Sequence, residues 1–423
     1  MNRRPADLHI DDLANPLFSP DVDQMLQAVA PLAESIGWTL DAALEQASAE
    51  AGLTDFGEDI YSEPLTVFLR GAKEEAGLSP MGEITVWGQV IQFLKNRLLI
   101  EEEFKRHPEI ADEVIERPLI IAGLPRTGTT HLHNLISSDP GLHSLPWWES
   151  LEPLPPLAEA GGEFEVDPRW HRAAEGIAMR DRLMPHFNRM HDMWPDHAHE
   201  EIHLLAIGGS TMFFETLAPS ESWREYYCGT DQTPWYGYLR RVLQVIQSRR
   251  PGSGRWILKS PQHLEQFGPL ARTFPDGTFV VTHRDPVSIT ASFATMAAYS
   301  ARLSQRVVDP VKVGGYWARR IEDMLRACVE DREILAPACS MDVRFHEFMA
   351  DDLATVEAIY MLAGKPFTGE ARKSMASFME SHPRGKHGRI LYDLGDFAMD
   401  RRERRQALGF YVDRFGVEIE GPG

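Results

Sequence analysis

From about Asp21 to Arg106, apolar residues return every three or four positions. Met25, Val29, Leu32 and Ile36 form one such series, and Val86, Val90, Phe93, Leu94 and Leu98 another. This period predicts amphipathic helices, with Gly52 and Gly77 as interruptions. The first 20 residues read as a partly ordered polar lead. Residues 1–116 are thus expected to form a helical N-terminal extension that packs on the later core and covers the active site. The pattern then changes. Short apolar runs at Leu119–Ala122 and Thr278–His283 suit strands buried on both faces, and Arg255–Lys259 and Met341–Phe345 read as further strands. A further strand is expected just before Trp147. Between the runs lie helical stretches: Thr129 to near Ser138, most of 167–227, 234–250, Leu264–Phe274, one opening at Arg284-Asp-Pro, and the C-terminal third. Asp139-Pro140-Gly141 is a clear stop. Strands alternating with helices predict an α/β unit over residues 117–423, a three-layer fold with a central parallel sheet. Ligands in such folds gather at the strand carboxyl ends.

The most informative stretch is 118–135, PLIIAGLPRTGTTHLHNL. A strand runs into a turn from Gly123 to Gly128, and Thr129 and Thr130 open a helix. The free N–H groups of that first helical turn and the positive end of its dipole face whatever lies in the loop, so the layout is P-loop-like and binds anions. Spacing comes close to G-x-x-x-x-G-K-[ST], but Thr129 stands where the lysine would reach the β- and γ-phosphates. With Arg126 inside the loop instead, a shorter anion held by amides, hydroxyls and one guanidinium fits better than ATP or GTP. The bland alternative is an ordinary β–α turn with incidental glycines. Strand, turn, basic residue and threonine pair together argue against it. The other polar residues noted along the chain (Lys259, Arg284 and those after Phe345) fall at the ends of the remaining strands.

Composition narrows the partners. The 423 residues carry 43 Lys+Arg against 63 Asp+Glu, a formal charge of −20, which argues against nucleic acid and requires a local basic cluster for any anionic cofactor. The start, MNRRPADLHIDD, has no apolar leader core. No stretch approaches the ~18 uninterrupted apolar residues of a membrane span. A cytoplasmic protein without an integral membrane segment is expected. Cys228, Cys328 and Cys339 are too far apart for a metal ribbon and read as buried thiols. Homodimerisation is left open.

With these residues in hand, the chain resembles the sulfotransferases that use 3′-phosphoadenosine 5′-phosphosulfate (PAPS). Leu124-Pro-Arg-Thr-Gly-Thr-Thr130 is similar to their 5′-phosphosulfate loop, in the P-R-[ST]-G-T-T form of the tyrosylprotein-type and bacterial branches. His283-Arg-Asp-Pro-Val-Ser-Ile-Thr-Ala-Ser292 is similar to their 3′-phosphate element. The resemblance implies that Pro125, Arg126, Thr127, Gly128, Thr129 and Thr130 hold the 5′-phosphosulfate, and that Arg284 and Ser292 grip the 3′-phosphate. It implies that Lys259 reaches the transferring group, that Phe345 packs near adenine, and that Arg384, Gly385 and Lys386 close on the cofactor. PAPS would be the donor and 3′,5′-diphosphoadenosine (PAP) the product, with no metal required. The acceptor would be a hydroxyl or amine of a small, partly apolar molecule. Cytosolic members carry a catalytic histidine two residues after the lysine. Here that position is Pro261, and His263 lies two further on. The base must therefore come from elsewhere: Glu149 by likeness to the tyrosylprotein enzymes, or His197, His199 or Glu200. Trp147, Trp148, Met193, Trp194, Phe213 and Phe214 are candidates for the acceptor pocket.

Two rival readings remain on the sequence. His199-Glu-Glu-Ile-His203 matches H-E-x-x-H, the zinc-peptidase pattern of two imidazoles on one helical face. The longer form of that motif needs glycine and histidine where Ala206 and Gly209 stand. Glu215, Glu221 or Glu225 could serve as a third ligand, but zinc leaves both anion signatures unexplained. A non-catalytic nucleotide-binding module fits the loop but gives Lys259 and the base candidates no task.

Overall fold

The computed structural model describes residues 5–421 except Pro251 and Ser253. Five strands build one sheet: β1 (Leu119–Ala122), β2 (Leu142–His143), β3 (Arg255–Ser260), β4 (Thr278–His283) and β5 (Ser340–Arg344). Their spatial order is β2-β3-β1-β4-β5, and every pair is parallel. Helices cover both faces, so β1 and β4 are buried along their whole length, as their unbroken apolar runs require. The strand read as ending at Phe345 stops at Arg344, and Phe345 opens the helix Phe345–Ala350.

This order decides where ligands can bind. The chain leaves β1 toward one edge, returns through β3, and then crosses to β4 on the other side. The carboxyl end of β1 is therefore a switch point, flanked by the ends of β3 and β4. Register places Ala122 beside Ser260 and Val281, so the loop after β1 opens between Lys259 and Arg284.

The N-terminal helices Leu40–Ala51, Ser62–Glu74 and Pro80–Arg106 share one apolar core with the sheet's helices, running from Ile10 to Val417. Arg97 fixes one seam: it is fully buried, donates to the carbonyls of Phe56 and Glu58, and sits over Tyr61 and Tyr238. It is the preceding arm, rather than these helices, that approaches the ligand end of the sheet. Leu8 bridges to Ile390, and Arg189 donates to the Ala6 carbonyl. Residues 167–227, read as mostly helical, are broken: irregular chain covers 190–201, between the short helices Phe187–Arg189 and Ile202–Gly208. Among the described residues no helix is long and apolar enough to cross a membrane.

Candidate active site

The loop after β1 is built by two glycines and one strained arginine. A Cβ on Gly123 would lie 1.9 Å from the Thr282 hydroxyl, and Gly128 has φ +85 with the Phe345 ring 3.2 Å from where a Cβ would stand. Arg126 adopts φ +73, outside the usual range for a side-chain-bearing residue, and its own hydrogen bonds hold it there. Its Nε donates to Ser292 Oγ at 2.8 Å, Nη2 to the Tyr392 hydroxyl at 3.2 Å, and Nη1 to the Met190 carbonyl. Thr127 turns inward: it is buried and bonds the Leu124 carbonyl and Thr282. Its role is to shape the loop, and the free hydroxyls belong to the next two threonines.

A cavity of about 370 Å³ opens above this loop. Its floor is Arg126, Gly128, Thr129 and Thr130, and the helix Thr129–Ser137 starts there. One wall carries Arg284 and Phe345, with the guanidinium carbon 4.2 Å from the ring centre. Opposite stand Arg384, Gly385 and Lys386, so the loosely matched basic loop lines the same cavity. The remaining wall is the irregular stretch with His191, Asp192, Trp194 and His197. Anions entering here meet five lysine and arginine side chains, Arg189 being the fifth, despite the overall charge of −20.

Arg284 and Ser292, the pair expected at a 3′-phosphate, meet through Arg126. Arg284 Nη1 donates to the Arg126 carbonyl at 2.7 Å, while Ser292 accepts from the Arg126 side chain. Ser292 itself is buried and does not line the cavity. Pro125 does not line it either.

At the end of β3, Lys259 is 2 % exposed and its ammonium donates to Glu200. Its backbone N–H donates to the next carboxylate, Glu201, at 2.8 Å. Glu201 also pairs with His263, whose other ring nitrogen meets the Tyr236 hydroxyl at 2.7 Å. His263 is thereby spent as a buried support of the strand end. The lysine charge reaches His191 and His197, and burial with that charge keeps both imidazoles neutral, His191 down to about 3 and His197 well below 6.5.

Glu149 does not come to this cavity. It lies on the helix Trp147–Leu151 and forms an ion pair with Arg250, which caps Trp256 of β3. Burial raises its pKa against the pull of Arg250. The carboxylate proposed by likeness therefore faces a different cation from Arg126 or Lys259. Among the base candidates His197 lines the cavity, and its Nδ1 is buried with no hydrogen-bond partner among the described residues. Asn134 holds it in place. That amide accepts from the Ala198 N–H at 3.0 Å and donates to the Ala198 carbonyl at 3.2 Å, clamping the neighbouring residue to the loop helix. Asn134 was legible in principle, because it stands one turn after Thr130 on the same face. His191 carried no signal beyond its histidine-rich neighbourhood.

His199 and His203 are not arranged as the zinc motif requires. The helix begins only at Ile202, after both glutamates. The two rings stack at 4.9 Å, with the Trp147 edge against each and Ser150 on His203. Glu200 and Glu201 are committed to Lys259 and His263. The geometry gives the peptidase reading no support. Of the six aromatic and methionine candidates for the acceptor pocket, Trp194 alone lines the cavity. Phe213 and Phe214 pack in the core with Phe93, and Trp148 lies under Arg169.

Comparison with known proteins then decides the family. The description "Sulfotransferase family" matches residues 118–369, more than half of the chain. The chain belongs to the sulfotransferase family. Two solved sulfotransferases have the same fold: STF1 from Mycobacterium tuberculosis H37Rv, 28 % identical with TM-score 0.75, covering 87 % of this chain and 98 % of that one, and STF9 from Mycobacterium avium, 26 % identical with TM-score 0.80, covering 90 % and 98 %. A curated relative, omega-hydroxy-beta-dihydromenaquinone-9 sulfotransferase Stf3 of Mycobacterium bovis, is 25 % identical over 269 residues, 60 % of this chain. The match spans 65 % of that relative's length.

The buried histidines give this member of the family an acid limit. His133 and His203 are held down to about 3 by burial, so the folded protein keeps them neutral while the unfolded chain protonates them below about 6.5. Depressed histidine values mean stability that is full above about pH 6.5 and lost as pH falls toward 3. Each such group removes ~1.4 kcal/mol per pH unit in that window. Urea unfolding is expected to show a loss of roughly 3 kcal/mol between pH 6.5 and 5 from these two alone. A stability unchanged over that range would contradict the neutral assignment.

Proposed function

We propose that the protein transfers the sulfuryl group of PAPS to a hydroxyl of a small, largely apolar acceptor, leaving PAP. The observation that carries this is the single cavity wall-to-wall between the β1 loop and Arg284, which matches a nucleotide with anionic groups at both its 5′ and 3′ ends. Amides of the loop and the Thr129 and Thr130 hydroxyls hold the 5′-phosphate at the helix N-terminus. The Arg284 fork suits the 3′-phosphate, and Phe345 beside it suits the adenine. Arg384 and Lys386 close the far side.

Transfer of this kind has a loose transition state with in-line attack, and catalysis rests on positioning and charge stabilisation. Lys259, with Arg126, offsets the negative charge that grows on the bridging oxygen. His197 accepts the acceptor's proton as its oxygen attacks sulfur, and the neutral imidazole is already in the form a base needs. Glu200, on the lysine, keeps the ammonium aimed. The Stf3 relatives are named for a hydroxylated menaquinone derivative. Here Trp194 packs edge-on against His197 at 4.6 Å, and Met349 and Phe378 add apolar wall to the same cavity, which supports a similar chemical class of acceptor.

Calorimetric titration tests the donor. PAP is expected to bind far more tightly than ATP, which lacks a 3′-phosphate, and Arg284→Ala should weaken PAP while leaving ATP unchanged. Equal affinity for the two nucleotides would sink the assignment.

A further inference from the structure

One carboxylate already occupies the fork assigned to the 3′-phosphate. Arg284 Nε donates to Glu420 Oε1 at 2.5 Å and Nη2 to Glu420 Oε2 at 2.8 Å, a bidentate pair. Nη1 is engaged by the Arg126 carbonyl and the ring of Phe345 covers one face, so Glu420 takes the Nε–Nη2 edge of the guanidinium. Glu420 is delivered by a short built segment. The helix Gly409–Phe415 ends at Gly416, whose φ of +60 turns the chain, and Val417 is buried. The Glu420 N–H donates to Asp285 Oδ2 at 3.0 Å. Asp285 is itself fixed, fully buried, by Arg405 and by capping the helix Pro286–Ser304. Anchors at Val417 and Asp285 thus set the Glu420 carboxylate in front of the neighbouring arginine. The side chain keeps 32 % of its surface exposed, so it can swing outward without breaking the core.

We propose that Glu420 is a built-in competitor for the 3′-phosphate, one that sets the affinity of the donor site and helps to expel the product. This rests on the donor reading above. A carboxylate and a phosphate dianion cannot share one edge of the guanidinium, because like charges at that distance repel and the Nε–Nη2 edge offers a single parallel pair of N–H donors. PAPS displaces Glu420 because its phosphate brings twice the charge and is tethered to the rest of the bound nucleotide. After transfer, the tethered carboxylate is at high effective concentration and retakes the fork as PAP loosens. A nucleotide without a 3′-phosphate never meets this competition.

The test compares the full chain, Glu420→Gln, Arg284→Ala and the double variant, using PAP and AMP as probes in calorimetry and stopped-flow release. Glu420→Gln keeps the shape and removes the charge, and it is expected to bind PAP about tenfold more tightly with correspondingly slower release. AMP affinity should not change. On the Arg284→Ala background the same substitution should have no effect on PAP. Unchanged or weaker PAP binding in Glu420→Gln, with the parent protein binding normally, overturns the competitor role and makes Glu420 a support for Arg284. Failure of all four proteins to bind PAP overturns the donor reading itself, and the competition with it.

Discussion

His197→Ala is expected to lower kcat by roughly 10²–10⁴ while the affinity for PAP barely changes. His197 lines the cavity, is held neutral by burial, and has a ring nitrogen with no protein partner among the described residues. A neutral imidazole beside Lys259 is a base whose protonation competes with a nearby cation, so activity should persist well below pH 6.5 before an acid limb appears. Single-turnover transfer from radiolabelled PAPS separates this chemical step from binding. Glu149→Gln is the matched control. That side chain is engaged by Arg250 outside the cavity, so its loss should affect stability more than kcat. The reverse pattern, an active His197→Ala and an inactive Glu149→Gln, would return the base to the carboxylate. Full activity in both would point to an acceptor acidic enough to need no base.

Lys259→Met should cost kcat ~10²–10³, the usual loss for one preorganised charge aimed at a developing anion. Methionine keeps the apolar stem at the end of β3 and removes the ammonium. Two consequences separate this from simple misfolding. The Lys259 N–H to Glu201 bond is made by the backbone, so the strand end should stay in place and PAP affinity should fall little. The pKa of His197 should also rise once the neighbouring cation is gone, moving the acid limb of any residual activity upward. Glu200→Gln should act more mildly, because it loosens the ammonium without removing it. An unshifted pH profile in Lys259→Met would place the lysine charge away from the base.

Everything local to the chain was written in the sequence. The loop after β1 depends on φ values that glycine permits, on a buried apolar strand before it and on free amides after it. All of these involve residues adjacent in sequence, so Gly123, Gly128, Thr129 and Thr130 could be read in place. The parallel sheet followed from the same logic, since solid apolar runs need cover on both faces. Tertiary packing decided the rest. Glu149 stands near the loop helix in sequence, but its charge was settled by Arg250, 101 residues further on. His197 gained its place because Asn134 clamps Ala198 across 64 residues of intervening chain, over a stretch with no helical period to predict it. The H-E-x-x-H match failed because the helix starts three residues too late to put both imidazoles on one face. Glu420 reaches Arg284 from 136 residues away. A charged group's role is fixed by which opposite charge shares its low-dielectric surroundings, and that pairing depends on the folded arrangement of distant segments rather than on spacing along the chain.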